Sequence, residues 1–331
     1  MPADVARASV DLLLAEAKPG DRLNLAFLGG EPLANRAVLH ETTGYAARLA
    51  RGRGLSLGFS ITTNGTLVGA ADIDLFEAHG FAVTVSLDGP RDTHDRLRPY
   101  KGGAGSFDRI LANIGPALAR QGRMQVSARI TVTPRNLDLP ETLDAFVALG
   151  FHSVGFSPML SAPADSADEM DDAALAAMLD RMIACGRRFE DVAAAGRRYP
   201  FANLLNALKE LHKGTHRPYA CGAGAGYLAV SAEGELAACH RFVGDDAGAM
   251  GSLAAGLDRA AQVAWLAERH VHRQSPCSQC WARYLCGGGC HHEVIHRGRP
   301  ACDYIRGWLH YCIGAYGRLR RTAPALFAAA P

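Results

Sequence analysis

The first 184 residues contain no cysteine, and eight of the nine cysteines in this 331-residue chain fall after residue 220. Thiols distributed that way argue against a disulfide framework running through the fold and for metal binding in one C-terminal segment. Long apolar runs are missing too. Leu12, Leu13 and Leu14 are flanked by Asp4, Arg7, Asp11 and Glu16, which excludes a signal-peptide apolar region and a membrane span. Nor is charge of one sign in excess: 35 Lys and Arg stand against 33 Asp and Glu, a formal charge of +2. That leaves no general electrostatic case for nucleic acid or an anionic membrane as partner. No repeat of fixed period is evident. A hydrophobic content of 48% is enough to bury a core of ordinary size, and the expectation is a folded cytoplasmic protein.

What is present, up to about residue 157, is an alternation of amphipathic helical patterns with short apolar runs, the βαβ signature of a parallel sheet. Helices are predicted over 3–17, 34–50, 70–79, 106–120 and 138–149. Strands are predicted over 22–28 (RLNLAFL), 55–62, 81–87, 124–132 and 152–157, two of them ending in the turns Thr63-Asn64-Gly65 and Asp88-Gly89-Pro90. The chain thus begins on a helix. Residues 160–172, rich in Ala, Ser, Asp and Pro, read as a loop or hinge leading to helices near 172–195 and 202–212. A hairpin is predicted from 227–231 and 235–239.

The strongest chemical signal is CSQCWARYLCGGGC at 277–290, with Cys277, Cys280, Cys286 and Cys290 separated by two, five and three residues. The CxxC pair lets two thiolates reach one metal centre. Gly287, Gly288 and Gly289 let the backbone wrap tightly and offer amides to sulfur. Cys221 and Cys239 lie upstream, Cys302 and Cys312 downstream. A structural zinc site is the ordinary reading of a CxxC pair with later cysteines. Seven or eight thiolates are too many for one tetrahedral zinc, however, and suit two iron–sulfur cubanes of four ligands each.

In this order and spacing the cysteines resemble the SPASM motif of peptide-modifying radical S-adenosylmethionine (SAM) enzymes. The resemblance implies that Cys221, Cys239 and Cys290 bind a first auxiliary 4Fe-4S cluster. Cys277, Cys280, Cys286 and a cysteine beyond the CGGGC run would bind a second. Cys302 is preferred for the last place, because DYIRGWLHY after it resembles the helix following the family's final ligand. Cys312 is a fourth ligand of the first cluster, a substitute for Cys302, or a buried thiol; burial is the reading for Cys185.

The N-terminal half extends the likeness. Gly29, Gly30, Glu31 and Pro32 follow a predicted strand, where ligands of open α/β sheets bind; alone they would be an ordinary tight turn. They are similar to the GGEP motif that contacts the methionine ammonium of SAM, a role suited to the Glu31 carboxylate or nearby backbone oxygens. Further matches come in the family's order: Asn64 in TNGTL, Ser86 in SLDG for the ribose, His94-Asp95-Arg96 through Arg98-Pro99 with Gly105-Ser106-Phe107, and Arg129 for the cofactor carboxylate. The implied fold is α/β: a partial parallel (β/α) radical SAM barrel lacking its first strand over 1–160, a helical bridge over 161–220, a SPASM domain over 221–315 and a helical tail over 316–331.

Enzymes of this superfamily hold their radical-generating cluster with a CxxxCxxC triad after the first strand, and these residues contain none. The expectation is an N-terminally truncated chain or a late start codon. It would generate no radical alone and would bind SAM weakly; a natural peptide-binding pseudoenzyme is the other reading. The cofactors implied are two auxiliary 4Fe-4S clusters and SAM. The partners implied are a peptide or small protein and a reductase or flavodoxin electron donor.

The C-terminal CWARYLCGGGCHHEVIHRGRPACDYIRGWLHYC looks most like the maturase of quinohaemoprotein amine dehydrogenase. The implied reaction is formation of Cys-to-Asp/Glu thioether crosslinks in the small subunit, with a 5′-deoxyadenosyl radical abstracting hydrogen from an acidic residue. The alternative enzyme is an anaerobic sulfatase maturase making formylglycine; those carry Asp after the second SPASM cysteine, where this chain has His240. A non-catalytic iron–sulfur peptide-binding module is the reading from a different class. His240, Asp245 and Asp303, with His291 and His292, are candidates for the general base, against ordinary hydrogen-bonding roles around the metal. His291, His292 and His296 fit either zinc or a helix flank.

Overall fold

Short β-branched and aromatic runs separated by helix-length polar segments leave parallel pairing as the way to bury both, since a parallel pair needs a crossover between its strands. The computed structural model describes residues 1–162 and 166–328. Residues 163–165 of the predicted loop and 329–331 of the predicted tail lie outside the described residues.

The chain runs α1 (Ala3–Ala15), β1 (Arg22–Phe27), α2 (Arg36–Gly52), β2 (Ser56–Thr63), α3 (Ala70–His79), β3 (Ala82–Ser86), α4 (Arg91–Leu97), α5 (Phe107–Ala119), β4 (Gln125–Val132), α6 (Leu139–Ala148) and β5 (Ser153–Pro158). Then come α7 (Asp172–Ala194), α8 (Ala202–Lys213), β6 (Ala229–Val230), β7 (Glu235–Ala237), β8 (Ala249–Ser252), β9 (Gly256–Leu257) and α9 (Arg259–Arg269). The chain closes with α10 (Arg283–Cys286), α11 (His291–Arg297) and α12 (Cys302–Thr322). The first five strands follow sequence order in a parallel sheet, and the last four form an antiparallel one. The predicted helices and strands of the first half are all present within about two residues, the uncertainty of any helix end. Helix α4 was not predicted. Its residues RDTHDRL have no apolar stripe, and the side chain it buries is His94.

The chain divides into two compact units. The first holds Met1–Ser86, Asp108–Val126 and Cys221–Arg269. In it β1 pairs with β2 (Phe27 opposite Ile61) and β2 with β3 (Thr63 opposite Val85). Phe81 lies 5.2 Å from Phe59 and 4.9 Å from Phe76, ring centre to ring centre. A smaller core of Leu236, Ala238, Phe242, Met250 and Trp265 supports the antiparallel strands.

The second unit holds Leu87–Phe107, Ser127–Ala220 and His270–Pro331. Its β4 and β5 pair in parallel with Arg129 opposite Gly155, and α7 and α12 pack together. Phe201 sits between Phe156 and Trp308, at 6.1 and 5.8 Å. Among the described residues no helix is long and apolar enough to cross a membrane.

Candidate functional site

In the first unit, the loop after β1 is tied to the end of β2 by one carboxylate. Glu31 is extended (φ −144°) and caps a 3₁₀ turn at Pro32–Asn35. Its Oε1 accepts from the Leu33 amide at 3.1 Å and the Thr63 hydroxyl at 2.8 Å, and its Oε2 accepts from the Asn64 amide at 2.7 Å. Glu31 is thus occupied with protein donors. Gly29 and Gly30 beside it are exposed.

The Asn64 side chain turns back on its own loop, Oδ1 accepting from the Thr66 amide (2.9 Å) and hydroxyl (2.7 Å). Gly65 has φ +78°, and a Cβ there would lie 2.7 Å from Cγ2 of Ile110, so this turn requires glycine. Asn113 of α5 donates to the Gly65 and Thr66 carbonyls at 3.1 and 2.7 Å. Sequence reading missed Asn113, a lone polar residue in an amphipathic helix with nothing to mark it. Ser86 ends β3, half-buried.

The second unit carries a buried polar network after β3. Asp88 pairs with Arg98 and accepts from the Thr131 amide at 2.9 Å. Asn136 donates to the Asp88 and Thr131 carbonyls at 2.8 and 2.9 Å. The Asp88 amide donates to His94 Nδ1 at 3.2 Å, which fixes the proton on Nε2, 3.0 Å from Ser106 Oγ; Ser106 in turn donates to the Arg98 carbonyl at 2.8 Å. Burial is the chief reason the His94 pKa is lowered. On β4, the Arg129 guanidinium is likewise pushed down, by desolvation alone. The residue is nonetheless exposed to solvent, so an anionic ligand could meet the cation there.

The CSQCWARYLCGGGC segment folds as a 3₁₀ turn at Cys277–Gln279, then α10, then three glycines of positive φ. Gly287 (φ +74°) passes so close to the backbone of Tyr219 that a Cβ would lie 2.3 Å from its carbonyl oxygen. Burial pushes the Cys277 thiol up, Arg299 opposes this, and the charges of Cys286, Cys302 and Cys280 add to it. Cys286 is raised by burial and by Cys302 and Cys280, while the Gly288 and Gly289 amides donate to its sulfur. Four sulfurs are therefore gathered, with two backbone amides donating to that of Cys286. Such a donor set repels itself as thiolates and suits an iron–sulfur cubane.

Cys302, at the start of α12, is thereby placed with the other three. Cys312 stands ten residues further along the same helix, a rise of about 15 Å. It is fully buried, and burial alone pushes its thiol up. Of the three sequence readings of Cys312, this burial agrees with the buried thiol; Cys185 is also fully buried and pushed up to about 12.

In the first unit, Cys221 and Cys239 come together around the Tyr227 hydroxyl, which lies 4.0 Å from Cys221 Sγ. Burial first, then the charges of these two cysteines, raises the Tyr227 pKa. Cys290 precedes α11, exposed.

Of the candidate bases, His240 opens a 3₁₀ turn directly after Cys239, and its pKa is lowered first by desolvation and then by Arg241. Asp245 caps the next turn, accepting from the Ala247 amide at 3.0 Å. Asp303 does not suit the part: its side chain is 95% exposed and ion-paired with Arg306. His291 is buried, while the rings of His292 and His296, one turn apart on α11, lie 4.6 Å apart and tilted by 50°.

Known proteins resemble this chain in sequence and fold. The radical SAM superfamily matches over residues 5–146. The serine-type anaerobic sulfatase-maturating enzyme of Klebsiella aerogenes is 26% identical over 302 residues, 86% of this chain and 71% of that one. The cysteine-type enzyme of Clostridium novyi is 34% identical over 90 residues, 27% of this chain and 24% of that one. The solved structure of native anSMEcpe with bound AdoMet superposes with a TM-score of 0.80 at 17% identity, over 96% of this chain and 90% of that one. Native anSMEcpe with bound AdoMet and Kp18Cys peptide gives 0.79 at 17% identity, over the same shares. The GGEP loop lies within the stretch, residues 5–146, that matches the radical SAM superfamily, and the fold of the whole is that of these solved structures.

Proposed function

We propose that this chain is the substrate-handling body of a radical SAM peptide maturase, with SAM on the barrel half and two auxiliary 4Fe-4S clusters on the cysteine-rich part. The observation that carries the reading is the gathering of Cys277, Cys280, Cys286 and Cys302 with the Gly288 and Gly289 amides at Cys286. Cys221, Cys239 and Cys290 are the ligands assigned to the other auxiliary cluster. Bound clusters and SAM supply electron transfer and radical chemistry.

The protein's own residues bind and orient. The Gly29 and Gly30 backbone, held by Glu31, receives the SAM ammonium, the Asn64 turn stays rigid beside it, Ser86 meets the ribose and Arg129 the carboxylate. His240, at the turn directly after Cys239, is the base assigned to take a proton there. The substrate is a peptide or small protein, the electron donor a reductase or flavodoxin, and the compartment the reducing cytoplasm.

For the bond formed, we assign Cys-to-Asp/Glu thioether crosslinking of the amine dehydrogenase small-subunit type, supported by His240 after Cys239 and by the CWARYLCGGGCHHEVIHRGRPACDYIRGWLHYC sequence. A second reading, formylglycine formation from Ser or Cys, is favoured by the likeness to the Klebsiella aerogenes sulfatase-maturating enzyme. These 331 residues hold no cysteine before Cys185, so cofactor cleavage by this chain alone is not expected.

Anaerobic reconstitution with iron and sulfide, iron and labile-sulfide counting, and equilibrium binding of SAM test the proposal. About eight irons per chain with SAM bound supports it. Colourless protein with about one zinc and no iron uptake would overturn it. Binding of Cys/Glu-rich against sulfatase-derived peptides separates the two bond types.

A further inference from the structure

We propose that Tyr227 is a positioning residue for the first auxiliary cluster: its hydroxyl donates a hydrogen bond to the sulfur of Cys221 or Cys239 and raises that cluster's midpoint potential. The proposal rests on the two-cluster reading above.

The local backbone puts the ring there. After Cys221 the chain doubles back on itself: the Ala225, Gly226 and Tyr227 amides all donate to the Gly222 carbonyl, at 2.9, 2.7 and 3.0 Å. The Gly224 amide donates to the Tyr227 and Ala238 carbonyls at 3.1 and 2.9 Å. This turn is clamped from behind by Trp265 and Gln262, which donate to the Ala223 and Gly224 carbonyls at 3.1 and 2.8 Å. Tyr227 therefore returns to Cys221 six residues later in sequence, while Ala238, hydrogen-bonded to the same turn, delivers Cys239 beside it.

The exposure of the ring argues that packing is not its task. Tyr227 is 43% exposed, yet its hydroxyl lies 4.0 Å from Cys221 Sγ and interacts with Cys239 as well. A phenylalanine would cover the same apolar surface without reaching the sulfurs. A metal-bound cysteine sulfur has no proton to give, so at that contact the phenol is the donor. Donation withdraws electron density from the sulfur and stabilises the more negative, reduced state of a cluster, which makes its potential less negative.

Wild type and Tyr227→Phe are reconstituted anaerobically, iron is counted, and the clusters are titrated with dithionite while their EPR signals are recorded. Expected is an unchanged count of about eight irons, one midpoint shifted to a more negative potential in Tyr227→Phe, and the other unmoved. Pulsed ENDOR in D₂O should lose one exchangeable proton coupling at that cluster. Equal midpoints and couplings at equal iron content overturn the proposal, whereas about four irons in wild type overturns the two-cluster reading instead. Should Tyr227→Phe lose iron, 3-fluorotyrosine at position 227, a stronger donor of the same shape, is expected to move the midpoint to a less negative potential; no movement overturns the proposal.

Discussion

The carboxylate of Glu31 accepts from the hydroxyl of Thr63 at 2.8 Å although 32 residues separate them. It thereby locks the loop after β1 to the end of β2. The same carboxylate takes the Asn64 amide at 2.7 Å, so one side chain sets the shape of both loops at the carboxyl ends of two neighbouring strands.

Glu31→Gln tests that lock. An amide in place of the carboxylate turns one acceptor into a donor facing the Asn64 amide or the Thr63 hydroxyl, and a donor left without an acceptor costs about 1–3 kcal/mol. Urea unfolding of the variant should show a loss of that size, and equilibrium dialysis should show weakened SAM binding. Intact SAM affinity in a destabilised variant would confine Glu31 to a purely structural part.

Cys302 and Cys312 should separate cleanly. Cys302→Ser is expected to lower iron from about eight to about four per chain, because its cubane loses a ligand. Cys312→Ser should keep its iron. It should unfold more readily by about 1–3 kcal/mol, the cost of burying a hydroxyl without a partner in an apolar site. Metal analysis and thermal unfolding of the two variants check both statements.

Gly287→Ala places a methyl against the Tyr219 carbonyl in a backbone conformation of positive φ. The clash is with backbone, which cannot swing aside, and positive φ alone costs a non-glycine residue about 1–3 kcal/mol. The segment should therefore shift and iron retention fall, seen as lost absorbance at unchanged cysteine content.

His94 gives the second unit a source of acid sensitivity. Its Nδ1 accepts from the Asp88 amide and burial lowers its pKa below the ordinary 6.5, so the unfolded chain binds this proton more readily than the folded one. The stability His94 contributes is complete above about pH 6.5 and is lost as the pH falls toward the depressed folded value. His94→Gln should flatten that part of the profile while lowering stability at neutral pH. Chemical unfolding at roughly pH 7.5 and 5.5 measures it.

Sequence alone determined the first five strands, most of their helices and the cysteine segment to which metal chemistry is assigned. The apolar runs were bounded by turn residues, and the cysteines fell in a spacing that few other functions need. It was silent on α4, whose one buried side chain is a histidine, and on Asn113, which acts through carbonyls 47 and 48 residues away.

Tertiary structure decided what spacing leaves open. Sequence preferred Cys302 to Cys312 only on the likeness of the residues that follow it; in the fold the two lie on one rigid helix whose rise puts about 15 Å between them, with Cys302 beside Cys277, Cys280 and Cys286 and Cys312 in the core. Tertiary structure likewise turned Asp303 toward solvent and Arg306, and placed the Tyr227 hydroxyl at Cys221 and Cys239. Pattern is a local property of the chain, whereas which side chains share a metal or a proton depends on contacts made after the chain has folded back on itself.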